Sequence, residues 1–235
     1  MNKRLIFFLI IALNSHNIFS QISTDRPDQT DSAFVMPKGE IQVESGISFQ
    51  NSQSNINALF RFGLVKGVEI RLNSNYLIND QLSFMKKSSF SDFEIGAKFK
   101  IFDKMFDKTK LALLSNISIP TARESFSNNA YGFLTKVNIS HELSGENQLG
   151  YNIGYNKFED QNGQILYTIV YSRSLNSFGV FFEIFGDKSS VDSNLNFDSG
   201  ITYLLNKTQQ LDLSIGKGLN NNLFFVSLGF SVNFN

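Results

Sequence analysis

Residues 224–234 read Phe-Phe-Val-Ser-Leu-Gly-Phe-Ser-Val-Asn-Phe, so that from Phe224 onward apolar side chains alternate with small or polar ones almost without a break. Successive side chains of a β-strand point to opposite faces, and this stretch therefore predicts a strand with one apolar face and one polar face. The pattern recurs in residues 92–101, where Asp, Glu, Gly and Lys interleave with Phe, Ile and Ala. So many apolar faces exceed what a small core can bury, which indicates that they face lipid.

Such segments recur from residue 41 to the C-terminus, and they predict an all-β fold, a transmembrane antiparallel up-and-down β-barrel of about twelve strands. After residue 21 the chain has no 18-residue apolar run and no sustained helical period, which argues against a helical membrane protein. The predicted connections alternate between longer outer loops and shorter periplasmic turns, with 102–109 as a long exception on the periplasmic side. The closing strand is expected to pair with residues 41–49, whereas the facing of 164–173 stays open because both parities are apolar.

The N-terminus predicts export. Lys3 and Arg4 precede an apolar run over 5–13, and Ser20 offers a small residue at a cleavage point, so residues 1–20 are expected to form a cleaved signal peptide. The run is too short to cross a hydrocarbon layer of roughly 30 Å as a helix. We expect residues 21–40 to form a periplasmic latch or plug and residues 41–235 to form a barrel in the bacterial outer membrane.

Composition narrows the chemistry further. The chain has no Cys, which excludes a disulfide framework and thiolate catalysis, and its formal net charge of zero gives no sign of nucleic-acid binding. After signal cleavage one histidine would remain, His141, so neither a metal site nor a cofactor is expected.

Two rival classes can be compared with the barrel. A secreted β-sandwich also has alternating strands, but the number of predicted strands and the 25 Phe residues favour the barrel. Aromatic residues near predicted strand ends, among them Tyr131, Phe185 and Phe234, are typical of interfacial girdles. A phospholipase-like enzyme would need a Ser–His pair, yet His141 falls on the lipid-facing parity and no Gly-x-Ser-x-Gly motif accompanies it. We therefore expect no enzymatic activity and no catalytic or cofactor-binding residue.

One stretch carries a family resemblance. Residues 24–32, Thr-Asp-Arg-Pro-Asp-Gln-Thr-Asp-Ser, followed by Val-Met-Pro-Lys-Gly at 35–39 and Ile-Gln-Val-Glu-Ser-Gly at 41–46, resemble the N-terminal signature of the transporter-like outer-membrane barrels named for a "MetA-pathway of phenol degradation". Residues 92–99, 198–205 and 210–219 are similar to further parts of that family. The Ser-Gln after the signal and the Asp-Arg-Pro-Asp motif resemble versions from the Bacteroidetes group of bacteria. The resemblance implies a porin-like transporter and carries over no catalytic residue.

If the apolar parity faces lipid, a mixed set of charges faces the lumen. These side chains could line a selective passage, or they could form an internal ion-pair lattice that braces a closed barrel, and we leave both alternatives open. The expected function is a transporter or channel for small molecules, with hydrophobic or aromatic solutes as candidates. The alternative is a non-conducting structural or interaction barrel filled by ion pairs. The predicted lumen-lining residues are Glu44, Arg61, Glu69, Arg71, Asp92, Glu94, Lys98, Lys100, Lys136, Glu183, Asp198 and Asp212.

The charged N-terminal motif admits two roles. Asp25, Arg26, Pro27, Asp28 and Asp31 could form a gate that pairs with lumenal cations, or a latch that holds the N-terminus beneath the barrel. A segment of fewer than twenty residues is small for a twelve-stranded lumen, which favours the latch. The spacing of its carboxylates does not match a helix-loop-helix calcium motif.

Three partners are expected for such a barrel. They are outer-membrane lipid, an unknown small-molecule solute and the outer-membrane barrel assembly machinery. The last expectation comes from the aromatic C-terminal strand, although Asn235 follows Phe234 where such signals usually end on the aromatic residue itself.

Overall fold

A computed structural model describes residues 22–51, 53–79, 88–104, 108–159 and 161–234. The predicted signal peptide lies outside these residues. Within them, no helix is long and apolar enough to cross a membrane. The strands are β1 (Ile41–Gln50), β2 (Gln53–Val65), β3 (Val68–Asn79), β4 (Ser88–Phe90), β5 (Phe93–Lys104), β6 (Thr109–Ile119), β7 (Gly132–Glu142), β8 (Asn147–Phe158), β9 (Gln164–Leu175), β10 (Phe178–Lys188), β11 (Ser193–Asn206), β12 (Gln209–Gly218) and β13 (Phe224–Phe234), with one 3₁₀ turn at Glu124–Phe126.

The strands form one closed antiparallel barrel. Apart from β4, each strand pairs with the strands that precede and follow it around the barrel. The short β4 and the longer β5 both pair with β3, so β4 and β5 share one of the twelve strand positions in the wall. The barrel closes between β1 and β13 in a register that runs from Ile41 opposite Phe234 to Gln50 opposite Phe225. The predicted fold and the predicted closing pair are confirmed. Closure satisfies the backbone hydrogen bonds that an open edge would leave exposed to lipid.

Connection lengths follow the predicted alternation with one correction and one exception, the two-residue outer connection 51–52 between β1 and β2. At the end of the barrel that holds Ile41 and Phe234, the turns are short, such as 66–67 between β2 and β3. The long periplasmic exception predicted over 102–109 is wrong, because β5 continues to Lys104 across a register shift between Lys100 and Phe102. Only four residues, 105–108, then separate β5 from β6.

The apolar side chains of the alternating strands lie on the outer surface of the barrel. Phe60, Phe99, Phe133, Phe182 and Leu228 are among many large side chains that are more than a third exposed on the wall. An Arg or Lys in their place at the bilayer midplane would cost about 2–4 kcal/mol. The facing of β9 is now resolved, since Ile165, Ile169 and Tyr171 lie outside while Thr168 and Val170 are buried inside.

Residues 22–40, which we call the inserted segment, lie inside the barrel. Its apolar part packs on the wall, where Ala33 and Val35 form a buried cluster with Ala112 of β6. It leaves through a turn at 37–40 in which Gly39 has a φ of 84° and donates its N–H to the Gly63 carbonyl at 2.7 Å. Glycine suits that left-handed backbone because it lacks a Cβ. The fold therefore places the N-terminal motif among the lumenal charges.

Candidate functional site

Asp25 lies at the centre of a group of buried cations. Its carboxylate accepts hydrogen bonds from Lys98 Nζ at 2.9 and 3.1 Å and from Arg71, and Arg61 Nη1 lies 3.9 Å away. The side chains of these three cations are at most 5% exposed. Arg61 is further held by Glu69 at 2.8 Å and Glu44 at 3.1 Å. The arrangement is a carboxylate-binding cage built from β2, β3 and β5.

Asp31 continues the same pattern toward β7 and β8. One of its oxygens accepts from Lys136 Nζ at 2.6 Å and the other from Arg71 Nη2 at 3.3 Å. Its backbone N–H donates to the Asn152 side chain at 2.7 Å. Arg61, Arg71, Lys98 and Lys136 thus form a basic wall whose charges meet carboxylates of the inserted segment.

Arg26 points the other way. Its guanidinium donates to Asp212 of β12 at 3.0 Å and to Ser227 of β13 at 2.8 Å. Gly46 and Gly229 face each other on β1 and β13, and a Cβ on either would come within 2.5 Å of the Arg26 side chain. These two glycines therefore make the space that Arg26 fills.

An acidic wall lies opposite the basic one. Glu183, Asp198 and Asp212 belong to β10, β11 and β12, about half of the barrel's circumference from β2, β3 and β5 in the strand order. Glu183 accepts from the Gln29 N–H at 2.6 Å and from the Thr30 hydroxyl. Asp198 is paired in register with Glu183, and the two carboxyl side chains interact with each other across β10 and β11. The lumen is divided into a compensated basic side and an under-compensated acidic side.

The two walls act in opposite ways on the carboxyls of the inserted segment. Burial alone would raise the pKa of Asp25, but Arg61, Lys98 and Arg71 hold that pKa well below its usual range. The pKa of Asp31 is lowered in the same way, against its burial, with Lys136 as the main cause. For Asp28, burial raises the pKa well above its usual range, and the nearby charges of Glu183 and Asp198 raise it further. Asp25 and Asp31 are thus bound as carboxylates, whereas Asp28 resists ionisation.

Three predicted lumen residues lie outside this network. Asp92 anchors the outer loop after β6, accepting from the Thr121, Ala122 and Asn128 backbone N–H groups and from the Ser127 hydroxyl at 2.8–3.0 Å. Glu94 accepts from the Asn73 amide at 3.1 Å higher in the lumen. Lys100 has the inward parity of Lys98 and is paired in register with Ala112, but it lies near the periplasmic end of β5, where it is exposed and pairs with Asp103 at 3.3 Å.

The inserted segment separates two cavities. An outer vestibule of about 510 Å³ is lined by Asp25, Asp31, Arg71 and Lys136 at its floor and by strand residues above. A second cavity, of about 360 Å³, is lined by residues near the periplasmic turns such as Glu146 and Asn176. Arg26, Pro27 and Asp28 line both, so they form the layer between them.

Sequence reasoning missed the polar lining of the vestibule. Amides on β2 and β3 bond to one another, with Asn57 donating to Asn73 at 2.7 Å and Asn55 to Asn75 at 3.0 Å. The alternation of the sequence already placed these amides on the inward face, but the predicted lumen-lining set included charged residues only. Phe185 was wrongly placed in the lipid girdle, because it lines this cavity.

His141 has ordinary neighbours in the wall. Its ring nitrogens lie 2.8 Å from the Thr109 hydroxyl and 3.0 Å from the Tyr151 hydroxyl. These contacts fit a structural role for the residue.

A family model described as "Putative MetA-pathway of phenol degradation" matches residues 24–234. The chain belongs to this family. The match begins inside the inserted segment, so the segment is part of what the phenol-degradation family model describes, together with the barrel. No curated protein sequence matches the chain.

Solved structures share the fold at low identity. The COG4313 outer membrane channel from Pseudomonas putida F1 is 10% identical, with a TM-score of 0.69 over 89% of this chain and 100% of that one. The KdgM porin is 9% identical, with a TM-score of 0.60 over 83% and 99%. The NanC porin is 11% identical, with a TM-score of 0.61 over 82% and 98%. This member of the phenol-degradation family therefore has the fold of outer-membrane barrels.

Proposed function

We propose that the protein is a gated outer-membrane channel for small molecules and that the inserted segment is its gate. The observation that carries the proposal is the position of Arg26, Pro27 and Asp28 between two lumenal cavities. A latch beneath the barrel would leave the lumen clear, whereas this segment crosses it from the basic wall to the acidic wall. Its small size suffices because inward side chains narrow the lumen around it.

The mode of attachment supports a gate. The inserted segment contacts the lumen centre through side-chain ion pairs and single hydrogen bonds, such as Arg26 to Asp212 and Thr30 to Thr168. Such contacts can exchange for water or solute one by one, whereas a paired strand would have to break a whole ladder. The vestibule above it opens outward and offers a route for a solute to the gate.

The second candidate is a closed structural barrel. It is favoured by the buried network around Arg61, in which Glu44, Glu69 and Asp25 surround one guanidinium. Buried networks of this kind can brace a fold without any transport.

Hydrophobic or aromatic solutes remain candidates for the channel, since Phe185 and Phe225 line the vestibule beside its amides.

A reversible cross-link tests the gate. The chain has no Cys, so Thr30→Cys with Thr168→Cys creates one pair at a contact where the native hydroxyl oxygens are 2.6 Å apart. In planar bilayers we expect channel openings under reducing conditions and their loss after oxidation, with each single-cysteine variant as the matched control.

Two outcomes would contradict the proposal. Equal conductance in the oxidised and reduced states would show that the path bypasses the inserted segment. A correctly folded barrel, judged by heat-modifiable migration in gels, that neither conducts nor passes solutes in either state would establish the structural barrel instead.

A further inference from the structure

The cage around Asp25 is a site for a negatively charged group, and the inserted segment supplies that group in the closed state. Lys98, Arg71 and Arg61 converge on one carboxylate, and Lys136 and Arg71 share the next one, Asp31. The wall carboxylates Glu44 and Glu69 balance only part of this charge, since four cations face two acids there. Withdrawal of the segment would leave Lys98 and Lys136 without their paired carboxylates and Arg71 with Glu69 alone, and a buried charge without a partner is strongly unfavourable.

The vestibule gives a solute access to two of these four cations. Arg71 and Lys136, with the two carboxylates that they bind, form part of its lining. Its volume of about 510 Å³ lies within the range of small-molecule pockets, roughly 300–1,000 Å³. The side chains above the floor are mainly amides and hydroxyls such as Asn57, Asn73 and Ser48, which add hydrogen-bonding capacity, and the carboxylate Glu94 among them is held by the Asn73 amide. A small anion that enters from outside therefore meets the cage from its open side.

We infer that the solute is a small organic carboxylate, which opens the gate by replacing Asp25 and Asp31 on the basic wall. The inference rests on the proposed gate and specifies its ligand. A carboxylate restores the partners that Arg71, Lys98 and Lys136 lose, so it binds the open state in preference to the closed one. Such differential affinity is what shifts a conformational equilibrium. A neutral solute of the same shape leaves the cations unpaired and gives no such shift.

Three probes of one shape test the charge requirement. Benzoate, benzamide and benzylamine are added in turn to the outer side of the full-length protein in a planar bilayer, and open probability is recorded. We expect benzoate to raise it and the other two to leave it unchanged. Opening by benzamide at equal concentration would overturn the inference, and opening by benzylamine would assign the ligand to the acidic wall.

Variants locate the effect. Asp25→Asn removes the competing carboxylate with little change of shape, so the open probability without benzoate should rise. The benzoate concentration that gives half of the maximal response should fall by about tenfold, because the closed state no longer competes for the cations. Lys98→Gln should weaken the benzoate response by a similar factor. Lys100→Gln is its matched control, two residues along the same strand but exposed and paired with Asp103, and should respond as the wild type does.

The outcomes separate this inference from the gate itself. If Asp25→Asn opens the channel while benzoate has no effect on any variant, the gate stands and the carboxylate inference fails. If neither the wild type nor any folded variant conducts, the proposed channel fails and the inference with it. Heat-modifiable migration shows which variants have folded.

Discussion

The two walls of the lumen hold the same segment in opposite ways. On the basic wall, Arg71, Lys98 and Lys136 each bind a carboxylate of the inserted segment. On the acidic wall, Arg26 pairs with Asp212, but Asp28 faces Glu183 and Asp198 without a described cationic partner for its side chain. The inserted segment is therefore anchored strongly on one side and weakly on the other. We expect it to leave the acidic wall first when the gate opens.

The largest effect should follow from breaking the basic wall at Arg61. Arg61→Gln leaves Glu44 buried without its cation and Glu69 with the longer contact to Arg71 alone, and removal of one member of a buried pair costs about 3–5 kcal/mol. The free energy of unfolding, measured by urea titration with heat-modifiable migration as readout, should fall by that amount. Lys108→Gln is the control, since its pair with Glu142 is exposed and should contribute about 1 kcal/mol or less. Equal losses in both variants would refute the view that the basic wall is the strong anchor.

A smaller effect is expected where Arg26 meets the acidic wall. Gly46→Ala places a Cβ 2.5 Å from Arg26 Cζ and 2.6 Å from the Leu228 carbonyl oxygen, so the guanidinium must shift from Asp212 and the backbone of β13 must also move slightly. Overpacking of this kind costs about 1–3 kcal/mol, and the gate should open more often because its weak side is released. The opening of the gate is measured as open probability in planar bilayers. Gly145→Ala, with nothing within 4 Å of the added Cβ, should behave as the wild type. An unchanged gate in Gly46→Ala would show that the Arg26 contact is dispensable.

The smallest effect should be a pH dependence from Asp28. Its pKa is raised in the inserted state by burial and then by Glu183, Asp198 and Asp25, so its contribution to closure is present below the ordinary carboxyl pKa. That contribution is lost as pH rises from the ordinary carboxyl pKa toward the raised pKa of inserted Asp28. In this range Asp28 loses its proton more readily in the released segment than in the inserted one, which favours release. Openings, recorded in planar bilayers across a pH series, should thus increase with pH, and Asp28→Asn should remove this dependence.

The lowered pKa values of Asp25 and Asp31 have the opposite sign. Their contribution to closure is present above the ordinary carboxyl pKa and is lost only as pH falls through the lowered values, in strong acid. An increase of openings with pH that persists in Asp28→Asn would assign the dependence to other groups.

The barrel was predictable because its information is local. In β13 the alternation of Phe224–Phe234 fixes which side chains face lipid, and one residue of slip would reverse every one of them. The same rule predicts inward positions for Glu44, Arg61, Glu183 and Asp212, and all four are buried in the structure. The interfacial position expected for Phe185 was wrong, because it was inferred from aromatic character near a strand end, whereas the side chain lines the vestibule.

The inserted segment could not be placed in this way. Its charges suggested pairing with the lumen, but whether it lay beneath or within the barrel depended on the free space inside. Gly46 and Gly229 make part of that space, and they lie more than 180 residues apart in the sequence yet face each other across β1 and β13. The same holds for Asp92, whose carboxylate is held by a loop that begins about thirty residues later.

The sequence by itself therefore determined the strands, their number, their lipid-facing parity and the set of charges inside, because period-two alternation in lipid is enforced residue by residue. Only the tertiary structure decided that those charges separate into a basic and an acidic wall with Asp25 bound to one and Arg26 to the other. That division depends on which strands face each other across the lumen. Strand order and closure set this arrangement, and no short stretch of the chain contains it.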